Sequence, residues 1–339
     1  MQPQPLRLGR LHFWLIFVLS VSLGTVGAHA QSCEVSADMD DATRNPITAA
    51  GQRYFDMAAK GDVASMRQNT IGPLASDFSS VETSIKSHQE ELTGAQSKVK
   101  SVFLLDASGS APIPHAEFYC GVFGKNGQTP GSAAFFLDNL PAGKYAVVLI
   151  AATGPKGELM FSEVLEQAGP DWKLAGLYIK NAQTGGHDSD WFLSRAHDYK
   201  AKGQMHNAWL YEQEARGLIT PVPFMSTMAT DKLYEESQGL QPADMPAAGK
   251  TSDLVAGAAT YKLTALFPEI VGSDLDLIVR YESANVSNSN LAYQDNVAVM
   301  KALVAKYPEF RDAFAGVVAR AVDSSGRDYG TLLAMKEIK

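Results

Sequence analysis

The sequence predicts a mixed α+β fold, and three observations support this. Helical periodicity dominates the segment after the N-terminal region. Between Gly143 and Lys180, three apolar runs are separated by two turn clusters, which is typical of an antiparallel meander. The last 85 or so residues alternate between strand and helix patterns. With 339 residues, 45% of them apolar, the chain is long enough for about two domains.

The first thirty residues have the pattern of an export signal. Arg7 and Arg10 precede a continuous apolar run from Leu11 to Val26, and Ala28-His29-Ala30 offers small residues to a signal peptidase. We expect cleavage after Ala30 and a periplasmic or secreted protein without a membrane span. An uncleaved anchor is less favoured, because the run of about 16 residues is short of the ~20 that span a bilayer.

Charge argues against two classes of partner. Residues 1–30 contain two arginines and no acidic residue, so 27 basic and 37 acidic side chains remain after cleavage, a formal charge of −10. Lys and Arg do not cluster anywhere in the sequence. A nucleic-acid partner or an anionic membrane surface is therefore disfavoured.

The two cysteines, Cys33 and Cys120, allow three interpretations. In an oxidising compartment they form a disulfide that ties the new N-terminus to a strand. They are otherwise free thiols, with Cys120 buried in its strand. Alternatively, Cys33 is a lipidated N-terminal cysteine, although Ala30-Gln31-Ser32 is a poor lipobox.

The first folded domain is predicted over residues 46–181, after an extended segment 31–45. A helix begins at Pro46 and ends at Gly61, and a second helix covers residues 77–93. Strands follow at 97–107, 116–123 and 133–137, before the meander. Each helix has one apolar stripe, so we expect the helices to cover one face of a curved sheet.

This order resembles the NTF2-like superfamily. The resemblance covers roughly residues 46–180. It rests on the opening helix ending in Lys60-Gly61-Asp62 and on the phrase Asp171-Trp172-Lys173-Leu174 before the last strand. The resemblance implies a cone of sheet wrapped on helices. That fold hosts isomerases, dehydratases, ligand binders and interaction modules, so it does not specify a function.

Residues 187–238 are predicted to form a helical connector that resembles one tetratricopeptide repeat. Phe192, Ala196, Tyr199, Ala208 and Ala215 occupy the repeat's aromatic, small and tyrosine positions. The sequence departs from the repeat where Arg195 replaces a usual leucine and Glu212 a usual aromatic residue. A single repeat cannot bury its own apolar face. We therefore expect it to pack on a neighbour, with Tyr199 and Tyr211 as the partner-docking residues.

A linker, residues 239–252, precedes a C-terminal α+β domain over residues 253–339. Strands are predicted at 260–271 and 275–281, a helix at 291–307, and a hairpin formed by 317–322 and 331–335. The expected order is ββαββ. About 85 residues suffice for an independent core.

Catalytic signatures are sparse in this sequence. It contains no Gly-rich phosphate loop, His-Glu-x-x-His, Cys-x-x-Cys or Gly-x-Ser-x-Gly. His115 and Glu117 lie two apart on a predicted strand, so both point to one face. An acid and a base on one cavity wall suit proton abstraction beside a carbonyl. These two are the catalytic candidates.

Other polar residues are expected to have ordinary surface roles. His187, Asp188 and Asp190 have metal-ligand chemistry but lie in a Gly-Gly linker. His197 and His206 lie on separate predicted helices, where exposure is the simplest account. Glu163 and Glu166 are expected on a strand surface. The sequence therefore predicts no metal site and no cofactor.

These observations lead to an exported, non-enzymatic binding or interaction protein of the bacterial cell envelope. Its partner would be a small apolar ligand or a protein. Two alternatives remain open: an NTF2-like isomerase, dehydratase or hydrolase using acid–base residues in the cone, and an envelope scaffold docking through the helical connector. Oligomeric state does not follow from the sequence.

Overall fold

Helices and antiparallel strands follow one another in blocks along the chain. We describe a computed structural model covering residues 31–125, 127–247, 249–284 and 286–339. The expected signal peptide, residues 1–30, lies outside the described residues. Five helical segments open the chain after a short strand: β1 (Ser32–Val35), α1 (Asp41–Ala59), α2 (Val63–Gln68), α3 (Gly72–Ser76), α4 (Ser79–Ser87) and α5 (Gln89–Leu92).

The strands of the N-terminal part follow these helices. They are β2 (Gln96–Ala107), β3 (Ile113–Cys120), β4 (Phe123–Gly124), β5 (Gly127–Gln128), β6 (Ala133–Leu140), β7 (Gly143–Gly154), β8 (Gly157–Ala168) and β9 (Asp171–Asn181). Strands β7, β8 and β9 are the predicted meander, and both of its pairings are antiparallel. They belong to a five-stranded sheet in the order β1-β2-β7-β8-β9.

This large sheet is covered on both faces. On one face, α1 and α4 bury an apolar core in which the rings of Phe55 and Phe161 meet edge to face at 5.3 Å. On the other face lies a separate three-stranded sheet, ordered β10-β6-β3. Phe103 and Phe135 meet there at 5.1 Å. Strands β3 and β6 therefore form a second layer and do not extend the large sheet.

The first helix begins five residues before the predicted Pro46. The Asp40 side chain accepts a hydrogen bond from the Thr43 backbone N–H at 2.7 Å, which caps the helix at Asp41. Pro46 lies inside the helix. The segment predicted to be extended over residues 31–45 is thus a strand, a turn and the start of α1.

A disulfide joins Cys33 on β1 to Cys120 on β3. Strand β1 pairs with β2 in the large sheet, and β3 belongs to the small sheet. The bond therefore links the two layers covalently. Of the three interpretations of the cysteines, the structure shows the first.

The remaining elements form the second half of the chain. They are α6 (Ser189–Ala201), α7 (Met205–Ile219), β10 (Met225–Thr227), α8 (Met228–Gln238), β11 (Ser252–Ala256), β12 (Ala259–Val271), β13 (Asp274–Glu282), α9 (Ser289–Lys306), α10 (Phe310–Ala313), β14 (Gly316–Val322) and β15 (Asp328–Ala334), ending in a 3₁₀ turn at Met335–Glu337. The C-terminal sheet has five strands in sequence order, and only its β13–β14 pair is parallel. The predicted ββαββ order thus lacks β11.

The helical connector and the C-terminal sheet share one apolar core, which extends from Phe192 to Ile338. Strand β10 instead pairs with β6 of the N-terminal part. The last part of the predicted helical connector therefore divides into this short strand and α8. Among the described residues, no helix is long and apolar enough to cross a membrane.

The disulfide is expected to stabilise the folded state. Its two cysteines are 87 residues apart, and the bond restricts the unfolded chain by closing this loop. Replacing both cysteines, in the variant Cys33→Ser/Cys120→Ser, should lower the free energy of unfolding by about 2–4 kcal/mol, measured by urea denaturation. Dithiothreitol should destabilise the wild type similarly and leave the variant unchanged. A wild type that is insensitive to complete reduction would contradict this expectation.

Gly51 allows α1 to lie close to the large sheet. A Cβ at this position would lie 2.8 Å from Val148 Cγ1 and 2.9 Å from Glu163 Oε2. Gly51→Ala should therefore lower the melting temperature, although alanine normally stabilises a helix interior by about 0.5–1 kcal/mol. Gly217→Ala in α7 is the matched control, since an added Cβ there has no neighbour within 4 Å. Equal stabilisation by both substitutions would show that α1 is not held at this distance.

Candidate functional site

The candidate site is built on the outer face of the small sheet. Alternation along β3 turns Ala116 and Phe118 into the core and leaves Tyr119 outside. On β6, Phe135 is buried and Phe136 points outward. Tyr119, Phe123 and Phe136 form what we call the aromatic cluster. Tyr119 contacts Phe123 at 5.6 Å and Phe136 at 6.4 Å, both edge to face.

The aromatic cluster is exposed to an unusual degree. The exposed fractions are 55% for Tyr119, 36% for Phe123 and 47% for Phe136, and the neighbouring Met228 is 42% exposed. Single exposed apolar side chains are ordinary, but a contiguous group of aromatic rings is typical of an interaction surface. The rings together with Met228 line an open cleft of about 590 Å³, the aromatic cleft.

Strand β10 and helix α8 form the opposite wall of this cleft. Helix α8 begins at Met228 because Thr227 and Thr230 cap it reciprocally. Strand β10 is the terminal strand of the small sheet, and Ser226 pairs with Ala134 of β6. Ser226 and Asp231 therefore lie beside the aromatic cluster.

A polar contact at this wall leaves one acceptor unused. Gln128 Nε2 donates to Ser226 Oγ at 2.6 Å and to Asp231 Oδ2 at 2.8 Å, and Ser226 Oγ donates to Asp231 Oδ1 at 2.6 Å. The carboxylate only accepts hydrogen bonds, so the amide nitrogen must face it. Gln128 Oε1 is then buried and has no hydrogen-bond partner among the described residues.

A second cleft of about 690 Å³ is adjacent to the first, since Ser226 and Asp231 line both. We call it the tyrosine cleft, because Tyr178 and Tyr234 lie on its walls. The Arg216 guanidinium lies 5.5 Å from the centre of the Tyr234 ring. Lys180 Nζ donates to the Thr220 carbonyl at 2.6 Å, and burial lowers the pKa of this lysine. The two clefts together are the groove.

The catalytic candidates His115 and Glu117 do not lie inside a cavity. Their side chains are exposed on the outer face of β3, because alternation turns Ala116 and Phe118 inward instead. His115 Nδ1 lies 2.7 Å from Asp138 Oδ1, and Glu117 accepts a hydrogen bond from the Tyr119 hydroxyl at 2.8 Å. The structure therefore places this pair on an exposed strand face, whereas an inner cavity wall was expected.

The predicted docking tyrosines are buried within this chain. Tyr199 is 8% exposed and Tyr211 is 2% exposed. Their hydroxyls donate to the carbonyls of Asp312 at 3.1 Å and Ala313 at 2.7 Å, just before β14. The expected packing on a neighbour is thus satisfied by the C-terminal part, and neither ring is available to an external partner.

His187 and Asp188, which were expected in a solvated linker, hold the start of α6 in place. Asp188 accepts a hydrogen bond from the Trp191 backbone N–H at 2.9 Å and caps α6. His187 stacks on the Trp191 ring at 3.8 Å. This segment is therefore an ordered helix entry rather than a solvated linker.

Glu163 was expected on a strand surface, but it is fully buried between β8 and α1. Neither carboxylate oxygen has a hydrogen-bond partner among the described residues. Burial raises the pKa of this carboxyl well above its usual range, and the charge of Arg53 opposes the shift. Burial therefore favours the neutral, protonated carboxyl. Glu163 shares a strand face with the buried Phe161 and Leu165, so alternation indicates an inward direction, whereas its charge favoured a surface position.

The walls of the groove combine aromatic rings, charged groups and the Gln128 Oε1 acceptor, which has no hydrogen-bond partner among the described residues. No protein-family model matches the chain, and comparison with curated proteins and with solved structures also found no match.

The buried carboxyl predicts a pH-dependent stability. In the folded state the pKa of Glu163 is raised above the 4.5 of an unperturbed glutamate. Above pH 4.5 the unfolded chain loses a proton that the folded chain retains. The contribution of Glu163 to stability therefore falls as pH rises, by about 1.4 kcal/mol per pH unit until the folded group ionises.

Urea denaturation of Glu163→Gln and wild type from pH 5 to 8 measures this contribution. The difference in unfolding free energy should move in favour of the variant as pH rises. Glu158→Gln, an exposed site on the same strand, should give a difference that does not vary with pH. Parallel curves for wild type and Glu163→Gln would contradict a protonated Glu163.

Proposed function

We propose that this chain is an exported, non-enzymatic binding protein that captures an extended, apolar segment of a polypeptide in the groove. The observation that carries the proposal is the exposed aromatic cluster beside the terminal strand β10. Aromatic side chains dominate the binding energy of many protein interfaces. Their exposure here would be unfavourable in a protein without a partner for that surface.

The shape of the groove supports a polypeptide rather than a compact ligand. Each cleft, at about 590 and 690 Å³, has the size of a small-molecule pocket. Both are open and share Ser226 and Asp231, so a ligand longer than either cleft is expected to occupy both. An extended chain places alternate side chains on one face, and successive apolar residues would enter the two clefts.

A polar group at the junction supports the same occupant. Strand β10 is the terminal strand of its sheet, but the N–H groups of Met225 and Thr227 already donate to the Val222 carbonyl and to Thr230 Oγ1, so we expect the bound segment to contact this wall without pairing as an added strand. Gln128 Oε1 at the same place is a buried acceptor that has no hydrogen-bond partner in the part of the chain that the structure describes. A backbone N–H of the bound segment is a donor of the required kind. A buried acceptor left unpaired costs about 1–3 kcal/mol, so occupying it favours binding.

The proposal also includes an exported location and an NTF2-like fold for the N-terminal part. The export pattern at residues 1–30 supports a periplasmic or secreted protein. The order of helices followed by an antiparallel meander supports an NTF2-like relationship for residues 46–181. The second layer formed by β10-β6-β3 would be an addition to that fold, and it carries the groove.

The acid–base enzyme is the second candidate, and buried Glu163 favours it. A protonated carboxyl inside a helix-covered sheet has the chemistry of a general acid. Glu163 is 0% exposed, and Gly51 of α1 lies against it. A substrate would therefore reach it only if α1 moved. Turnover of a carbonyl-containing substrate that is abolished in Glu163→Gln and retained in His115→Ala would establish this candidate.

Peptide binding can be tested directly. The purified protein is panned against a phage-displayed library of random peptides, and a selected peptide is synthesised with a fluorescent label. We expect anisotropy to show saturable binding that weakens about tenfold or more in Phe136→Ser, because a central aromatic contact is lost. Gln128→Leu should also weaken binding, since it removes the unused acceptor.

Leu332→Ser is the matched control for this experiment. Leu332 is 48% exposed, close to the 47% of Phe136, but it lies on β15 of the C-terminal sheet. This variant should bind the peptide as the wild type does. Failure to select any peptide, or equal binding by wild type and Phe136→Ser, would overturn the proposal.

A further inference from the structure

Three side chains with metal-ligand chemistry converge where α6, α7 and α8 meet. They are His197 on α6, Glu212 on α7 and Glu236 on α8. One ligand atom from each lies within 4.8 Å of the others. His197 Nε2 is 3.8 Å from Glu236 Oε2. The three residues, which we call the three-helix cluster, are far apart in sequence, so only the fold brings them together.

Glu212 is the residue that distinguishes this cluster from an ordinary surface group of acids. It is 1% exposed, and its Oε2 atom is buried without a hydrogen-bond partner among the described residues. Glu236 Oε2 is buried and unpartnered in the same sense. Burying a carboxylate without a partner is costly, and buried charges in proteins are normally paired or bound to a metal.

The surroundings of Glu212 on α7 are apolar, since the nearby Tyr211 and Ala215 are buried in the core shared with the C-terminal sheet. Its carboxylate nevertheless brings an oxygen to within 4.8 Å of ligand atoms on α6 and α8.

We propose that His197, Glu212 and Glu236 bind one divalent transition-metal ion, with zinc as the best-matched metal. One imidazole and two carboxylates are a ligand set that zinc accepts, at about 2.0–2.2 Å from each donor atom. Donor atoms within 4.8 Å of one another need only small side-chain rotations to reach such distances. The double positive charge of the ion compensates both acids.

The exposure of the cluster indicates an incomplete coordination sphere. His197 is 55% exposed and Glu236 35% exposed at the side chain, whereas Glu212 closes the inner side. Three protein ligands leave at least one coordination position directed to solvent, where water or a ligand binds. The ion also ties α8 to the pair α6–α7. The proposal does not depend on peptide binding in the groove.

A rival histidine elsewhere in the connector is less suited to a metal. His206 Nδ1 lies 2.7 Å from Glu309 Oε1, and its Nε2 lies 3.1 Å from Asp244 Oδ1. Both ring nitrogens are already engaged, one with each carboxylate. The two acids contact opposite nitrogens of the ring, so one metal ion cannot bind the ring and both acids together. His206 therefore forms a hydrogen-bonded contact between α7 and the segments that follow.

Isothermal titration of metal-free protein with zinc chloride tests the proposal. We expect one zinc ion per chain and a higher melting temperature with zinc than with EDTA, since a ligand that binds the folded state stabilises it. His197→Gln should weaken binding about tenfold or more. Because the His197 side chain is exposed, this substitution should not unfold the protein, and weaker zinc binding would then report the loss of a ligand. Glu212→Gln should weaken binding similarly and remove the zinc-dependent rise in melting temperature.

Two matched controls keep the result specific. Glu214→Gln removes a carboxylate from the same helix, and His115→Gln removes an exposed histidine that faces a single acid, Asp138. Both should bind zinc as the wild type does. Cobalt(II) in place of zinc should give visible absorption bands that disappear in His197→Gln. No zinc binding, binding unaffected by His197→Gln and Glu212→Gln, or binding lost only in His206→Gln would each overturn the proposal.

Discussion

The large sheet must be covered on both faces, and the rest of the N-terminal part depends on this constraint. Strand β7 is buried almost without interruption from Tyr145 to Ile150, so neither of its faces can meet water. Helices cover one face because each has only one apolar stripe. The second face requires another layer, and β3 and β6 supply it. A two-stranded ribbon alone is marginal, and β10 extends it to three strands.

The groove is a consequence of this layering. The small sheet uses one face to cover the large sheet, and its other face has no further layer among the described residues. Phe118 and Phe135 point inward, while Tyr119 and Phe136 take the alternate positions and remain exposed. Strand β10 comes from the connector after α7, so the groove includes residues from both halves of the chain. The same alternation along β3 and β6 therefore buries one set of aromatic rings against the large sheet and exposes the other set in the groove.

Much of the secondary structure could be predicted from the sequence, but its arrangement in layers could not. The meander, α6, α7 and α9 followed from periodicity and turn residues. Strand β10 could not be predicted because three residues are too few to show alternation. Strand β11 lies where the predicted linker ends, before the first predicted strand of the C-terminal domain. Periodicity also gives the faces of a strand without saying which face is inward. The expected inner position of His115 and Glu117 is therefore not the observed one. Glu163 shares a face with the buried Phe161 and Leu165, but its charge favoured a surface position. The three-helix cluster and the Gln128 acceptor depend on contacts between distant segments, which a single sequence does not contain.

The bond between Cys33 and Cys120 has a topological consequence. It closes a covalent ring that contains α1 to α5, strand β2 and most of β3. A single cut in the backbone anywhere inside that ring, such as in the exposed bend at Ser108–Ser110, leaves the two pieces attached through sulfur. The helical cover of the large sheet therefore stays tethered to the small sheet after such a nick. A single cut inside this ring therefore does not release the helices from the rest of the protein.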